Sequence, residues 1–165
     1  MKERVKKILE ILRSKEYKNN RTDEEIKVDK IESESKYEKF VSDLVKTLDA
    51  EKPMFIENDR IGFYVYHKKY PVESRCGNNN PNYSIFLEKG ILGVYNELKA
   101  KEADADENQK EFIKYSLKIL DAAIDYVERY RNVATGDLKE VLNNVPLNPP
   151  KSYHEALVMM KFLIA

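Results

Sequence analysis

Residue types that bind metals or act as nucleophiles are scarce in this sequence, and those present are isolated. The chain holds two histidines, His67 and His154, and one cysteine, Cys76. Neither histidine has a second strong ligand three or four residues away, and the His154-Glu155 pair lacks the second histidine of an HExxH zinc site. We therefore expect neither a metal site nor a cofactor in this chain.

Cys76 lies between Arg75 and Gly77. A neighbouring arginine lowers the pKa of a thiol, so one interpretation is a reactive or radical-carrying cysteine. The other is an incidental loop cysteine, which we favour because no histidine or second cysteine stands near it in the sequence. A lone cysteine forms no intrachain disulfide, which is typical of a reducing compartment.

Two further segments have compositions that can bind ligands. The acidic run Glu102 to Glu107 lacks the glycine turn and terminal glutamate of a calcium loop, which favours a solvated linker. Tyr64, Tyr66 and Tyr70 suit either a binding platform or half-buried extended structure, and we favour the second. No glycine-rich phosphate loop occurs. The residues alone thus assign no catalytic, cofactor-binding or metal-binding residue.

Length and charge are those of one ordinary domain. The 165 residues include 29 basic and 29 acidic side chains, giving a formal net charge of +0, so neither nucleic acid nor an anionic membrane is expected as a partner. The N-terminal segment lacks the apolar stretch of a signal peptide, and no window approaches the roughly 18 apolar residues of a membrane span. We expect a soluble, cytoplasmic protein.

Apolar periodicity predicts a mainly helical chain. Helices are expected over 2–15, from Ser35 to before Pro53, from about Pro81 to Leu98, over 112–133 and from Ser152 onward. Thr22 and Asp23 are expected to cap a short helix. Residues 54–65 favour a small hairpin or two extended segments, with a turn at Asn58-Asp59.

Glycine and proline mark the breaks between these elements. Gly90 and Gly93 each cost roughly 1 kcal/mol inside a helix, which predicts close packing or a break there. Gly136 is expected to stop the long helix, and Asp137 to cap a short one. Pro146, Pro149 and Pro150 form a connector before the last helix. The predicted fold class is mainly α, a helical bundle-like domain with a small extended or hairpin insert.

The stretch VPLNPPKSYHEALVMMKFL resembles a segment in the N-terminal half of glycyl radical enzymes, the pyruvate formate-lyase-like or formate acetyltransferase-like family. Val158 stands where the family usually has glutamine. The stretch CGNNNPNYSIFLEKGILGV is similar to an upstream family segment, and KPMFIENDRIGFYV to an earlier one. Residues 52–165 carry the resemblance, whereas 1–51 have weak signal, and we expect one continuous domain. The matching positions are Gly77, Pro81, Asn82, Tyr83, Leu87, Gly90, Gly93, Val145, Pro146, Pro149, Pro150, Ser152, Tyr153, Glu155, Ala156 and Leu157.

The resemblance implies a helical shell around a ten-stranded α/β barrel, in an anaerobic bacterium. Family chemistry requires a loop with a thiyl-forming cysteine and a loop with a glycyl radical made by an activase, and neither motif appears in this sequence. Cys76 lies in the wrong segment, and Asn78 stands where some members have a histidine near the substrate. We therefore expect a truncated enzyme that is inactive alone.

Two functions from different classes remain open at this point. The first is the incomplete N-terminal part of such an enzyme, whose apolar last helix packs against the missing barrel portion or against a second copy of the chain. The second is a stand-alone helical interaction or regulatory module derived from that family, with the helices of residues 1–51 as partner surfaces. We favour the first by analogy.

Overall fold

The computed structural model describes residues 2–14, 19–29, 31–33, 35, 37–71 and 82–164. Within these ranges the chain forms six helices and two short strands. They are α1 (Glu3–Ser14), β1 (Thr22–Glu25), α2 (Glu38–Ala50), β2 (His67–Lys69), α3 (Ser84–Lys101), α4 (Glu107–Val133), α5 (Gly136–Val141) and α6 (Tyr153–Ile164). The prediction of a mainly helical chain is confirmed. None of the described helices is long and apolar enough to cross a membrane.

The long helix α4 is the centre of the fold. Its apolar residues recur every three or four positions and so lie on one side, which packs against α2 and α3. The C-terminal half of α4 joins residues from α5, α6 and the segment before β2 in one core. Its buried members are Phe63, Tyr126, Tyr130, Ala134, Leu138, Leu142, Val145, Val158 and Met159.

Helix α4 begins at Glu107, earlier than the predicted Phe112. The side chain of Asp106 accepts a hydrogen bond from the backbone N–H of Gln109 at 2.8 Å, and the Gln109 side chain accepts from the Asp106 N–H at 3.0 Å. This reciprocal capping box satisfies two backbone donors at the helix start. The acidic run is therefore partly a helix cap rather than only a linker.

The predicted cap at Asp137 is wrong. Helix α4 ends at Val133, and Thr135 occupies the N-cap position of α5, whose first residue is Gly136 with φ +58°. Asp137 therefore lies inside α5, where its carboxylate pairs with Nε of Arg60 at 2.8 Å. The partner comes from a distant part of the chain, which local capping rules do not consider.

The predicted short helix at Thr22 is also wrong. Residues Thr22 to Glu25 form β1, which pairs in parallel with β2, and the Thr22 N–H donates to the Tyr66 carbonyl at 3.0 Å. A strand partner 45 positions away overrides the local capping pattern. The predicted hairpin over 54–65 is reduced to one antiparallel bridge between Met54 and Tyr64.

Tyr130 ties α4 to the segment that carries this bridge. Its hydroxyl donates to the Met54 carbonyl and accepts from the Tyr64 N–H at 3.2 Å, while its ring lies 4.6 Å from that of Phe63. The side chain is fully buried. One hydroxyl thus binds two backbone groups from different residues of this segment.

We predict that Tyr130→Phe lowers the free energy of unfolding by about 1–3 kcal/mol, because the carbonyl of the buried Met54 loses its hydroxyl donor. Urea titration followed by circular dichroism measures the loss. Tyr153→Phe is the matched control, since Tyr153 is 81% exposed, and it should change stability by less than about 0.5 kcal/mol. Equal effects of the two substitutions would contradict the assignment.

Candidate functional site

Helix α3 is interrupted at Gly90, where it meets the connector before α6. Gly90 has φ 65° and ψ 174°, a region that only glycine adopts readily. The N–H groups of Ile91 and Leu92 leave the helical pattern and donate to the carbonyls of Pro146 and Leu147, each at 3.0 Å. The prediction of a break or close packing at Gly90 is confirmed, and both occur. We call this contact the Gly90 junction.

No side chain fits at the Gly90 junction. A Cβ added at Gly90 would meet the Leu147 carbonyl oxygen and would lie 2.6 Å from Asn148 Cα. Real Cβ atoms do not approach backbone so closely, and backbone yields less easily than a flexible side chain. The junction therefore requires glycine at this position.

The connector itself is fixed by side chains near its two ends. The Asn144 amide donates to the Pro149 carbonyl at 3.0 Å and to the Glu155 carboxylate at 2.9 Å. Glu155 also accepts from the Lys151 N–H at 2.5 Å, and the Ser152 hydroxyl accepts from the Glu155 N–H at 3.2 Å. Glu155 thus joins the start of α6 to the connector.

His154 holds α6 against the turn that follows Asn58. Its Nε2 lies 2.6 Å from the Arg60 carbonyl oxygen, and its Nδ1 lies 3.4 Å from Nη2 of the same residue. A carbonyl only accepts, so Nε2 carries the hydrogen and Nδ1 is left to accept from the guanidinium. Arg60 in turn pairs with Asp137 on α5. Arg60 thus links α6, through His154, to α5, through Asp137.

His67 belongs to a second buried cluster, around Glu51. Its Nδ1 lies 3.0 Å from Oε2 of Glu51, which also accepts from the Tyr70 hydroxyl at 3.3 Å. Oε1 of Glu51 accepts from the backbone N–H groups of Tyr66 and His67. The Tyr70 hydroxyl is protonated at neutral pH, and burial, followed by the Glu51 charge, raises its pKa further. Both oxygens of this buried carboxylate are thus satisfied.

A cavity of about 410 Å³ opens beside this cluster, and we call it the Glu51 cavity. Its wall is mostly apolar, and its polar side chains are those of Thr47, Glu51, Tyr70 and Tyr126. The lining residues are Leu44, Thr47, Leu48, Glu51, Val65, Tyr70, Phe86, Ile91, Ile119, Leu120, Ala123, Tyr126, Phe162 and Leu163.

Helix α6 has apolar residues on both sides. Val158 and Met159 are fully buried in the core, and the Phe162 ring lies 5.0 Å from that of Phe63. Tyr153, Leu157 and Ile164 face outward at helical spacing, 81%, 37% and 62% exposed. We call this second side, which also includes the half-buried Met160, the outer face of α6.

The structure brings few of the singled-out residues together. His67 and His154 belong to separate clusters, and among the described residues no group of three or more His, Cys, Asp or Glu side chains is arranged to hold a metal ion. Tyr64, Tyr66 and Tyr70 are half-buried, as predicted. The remaining candidates lie outside the described residues: Arg75, Cys76, Gly77, Asn78 and Pro81.

Sequence reasoning gave no role to two buried carboxylates that organise these clusters. Glu51 had no recognisable signal, because its partners follow it by 15 to 19 positions. Asp59 did have one, since aspartate in a turn often accepts from its own backbone. Its carboxylate accepts from the N–H groups of Arg60 and Gly62 at 2.7 Å and of Ile61 at 3.3 Å.

No family model, curated protein or solved structure matches the chain. Its function is therefore inferred from its residues and their geometry, together with the sequence resemblance. The proposal for the function below rests on the Gly90 junction and the outer face of α6. The proposal for a ligand rests on the Glu51 cavity.

We predict that Gly90→Ala lowers the free energy of unfolding by more than about 3 kcal/mol, because it adds a backbone clash to an unfavourable conformation. Gly136→Ala is the matched control. Gly136 also has positive φ, but a Cβ there meets nothing within 4 Å, so its cost should be only about 1 kcal/mol. Urea midpoints of both variants measure the difference, and similar losses would contradict the close approach.

The buried tyrosines predict instability at alkaline pH. Burial, followed by Tyr130 and Glu51, raises the pKa of Tyr126 above its ordinary value of 10.0. The folded state thus favours the protonated form, and this stability is complete below pH 10 and is lost as the pH rises further. Urea titrations from about pH 9 to about pH 12 give the free energy of unfolding at each pH. This free energy should fall less steeply in Tyr126→Phe, by up to about 1.4 kcal/mol per pH unit. Identical slopes would contradict burial of the hydroxyl.

Proposed function

We propose that this chain forms the N-terminal helical shell of a glycyl radical enzyme of the pyruvate formate-lyase-like type. The observation that carries the proposal is the Gly90 junction. Gly90 belongs to one stretch that resembles the family and Pro146 to another, and backbone hydrogen bonds join the two stretches directly. Residues that support the resemblance thereby have a shared structural reason to occur together.

Further residues of the resembling stretch organise the start of α6. Glu155 and Ser152 fix the connector to this helix through the hydrogen bonds described above. Val145 and Pro146 are fully buried. The prolines, Ser152 and Glu155 therefore fix the position and direction of α6. This supports the interpretation of the stretch as a structural motif.

The outer face of α6 gives this shell a surface for the barrel portion of the enzyme. A helix that is apolar on both sides is usually buried on both sides. Here one side packs in the core, while Tyr153, Leu157 and Ile164 remain exposed. In the proposed enzyme the barrel portion covers them, burying apolar area at about 25 cal/mol per Å².

In this proposal the chain by itself performs no radical chemistry. Turnover in the family needs a thiyl-forming cysteine and a glycyl radical, whose loop motifs do not occur in this sequence. The chain would contribute packing surface, and activity would require the portion that carries both loops. Turnover of pyruvate, glycerol or choline by the purified, activase-treated chain would contradict this.

A stand-alone interaction or regulatory module is the second candidate. The observation that favours it is that α6 already completes a core within this chain, since Val158 and Met159 are fully buried. In that case the outer face of α6 would serve a different partner or a second copy.

We predict that Leu157→Glu weakens association with the barrel portion at least about tenfold, because it places a charge in an apolar contact. The genomic sequence around this reading frame is first searched for the thiyl-cysteine and glycyl loops, and the polypeptide that carries them is co-expressed and captured with this chain. Phe112→Glu is the matched control, since Phe112 is 51% exposed on a different helix, α4.

Three results would count against the enzyme shell. One is the absence of a polypeptide with both loops, and another is equal effects of the two substitutions. The third is a wild-type chain that is monomeric by solution mass and binds no barrel partner, which would favour the stand-alone module.

A further inference from the structure

We propose that the Glu51 cavity binds a small, neutral, mostly apolar molecule that carries one hydroxyl group, such as a substituted phenol. This inference does not depend on the proposed function, because it uses only described residues that lie within this chain. It assigns a binding role to a cavity that the shell role leaves unused.

The size and walls of the cavity fit a one-ring molecule. Its volume is about 410 Å³, within the range of roughly 300–1,000 Å³ typical of ligand sites. An apolar cavity of about 150 Å³ already accepts benzene. Side chains from four helices form the apolar wall, among them Leu44, Phe86, Leu120 and Phe162.

Two polar side chains on the wall already donate their hydroxyl hydrogens to acceptors within the protein. The Thr47 hydroxyl donates to the Asp43 carbonyl at 2.7 Å, and the Tyr70 hydroxyl donates to Glu51 at 3.3 Å. The oxygens of these two hydroxyl groups still have lone pairs for a ligand, which must supply the hydrogen. The Glu51 carboxylate already accepts two hydrogen bonds at each oxygen.

Tyr126 supplies the complementary donor. It is 4% exposed and lines the cavity beside Glu51 and Tyr70. Within the described part of the chain no residue forms a hydrogen bond with its hydroxyl, which leaves the O–H able to donate to a ligand. A tyrosine hydroxyl is protonated at neutral pH and able to donate, and burial raises the pKa of Tyr126 further.

One donor and two acceptors on the wall of the cavity match a ligand hydroxyl. Such a group donates to Tyr70 or Thr47 and accepts from Tyr126. An ammonium group cannot accept, and its desolvation in an apolar cavity is costly. A carboxylate would be repelled by Glu51. The polar end therefore selects a neutral hydroxyl.

The test compares p-cresol with toluene, which has the same ring and methyl group but no hydroxyl. Isothermal titration calorimetry and amide chemical shifts are recorded on the full chain at neutral pH. We expect p-cresol to bind about fivefold more tightly than toluene, with shift changes at residues that line the cavity. Absence of binding up to the solubility limit of both probes, or equal affinities, would overturn the proposal.

Variants locate the interaction. Tyr126→Phe should reduce the affinity for p-cresol to that for toluene, and leave toluene binding unchanged. Tyr115→Phe is the matched control on the same helix, since Tyr115 is buried but does not line this cavity, and it should alter neither affinity. If Tyr126→Phe leaves p-cresol binding intact, or Tyr115→Phe weakens it equally, the assigned site is wrong.

Discussion

The backbone hydrogen bonds at the Gly90 junction determine where the connector and α6 join the core. They attach the connector to α3 through groups that an uninterrupted helix would have paired internally. Once the connector is fixed, α6 starts at a defined point and direction, and Val158 and Met159 reach the core formed by α4 and α5. The break in α3 is thus a means of joining helices that are distant in sequence.

Buried polar groups supply the remaining specificity. Glu51, Asp59 and Tyr130 each satisfy several backbone or side-chain partners in segments that have little regular structure. Apolar packing alone tolerates many arrangements, whereas an unpaired buried polar group is costly, so such clusters favour one arrangement over others. They hold the region between α2 and β2 in place although only one bridge and a short parallel pair connect it.

The two faces of α6 have different roles, since one packs in the core of this chain and the other remains exposed. The inner face finishes the core, and the outer face leaves apolar area that another surface can cover. The two proposed contacts use different parts of the molecule, because the Glu51 cavity lies among the helices while the outer face of α6 points away from the core. The two proposals can therefore fail or succeed independently.

The sequence by itself determined the helices and the need for something unusual at Gly90, because apolar periodicity and glycine's helix cost are local properties. The capping box of α4 is also a local property, because its two residues, Asp106 and Gln109, are only three positions apart. Tertiary structure alone decided that Thr22 to Glu25 is a strand, that Asp137 pairs with Arg60, and that Glu51 gathers His67 and Tyr70. Each of these depends on a partner far along the chain, which local propensities and capping rules do not include.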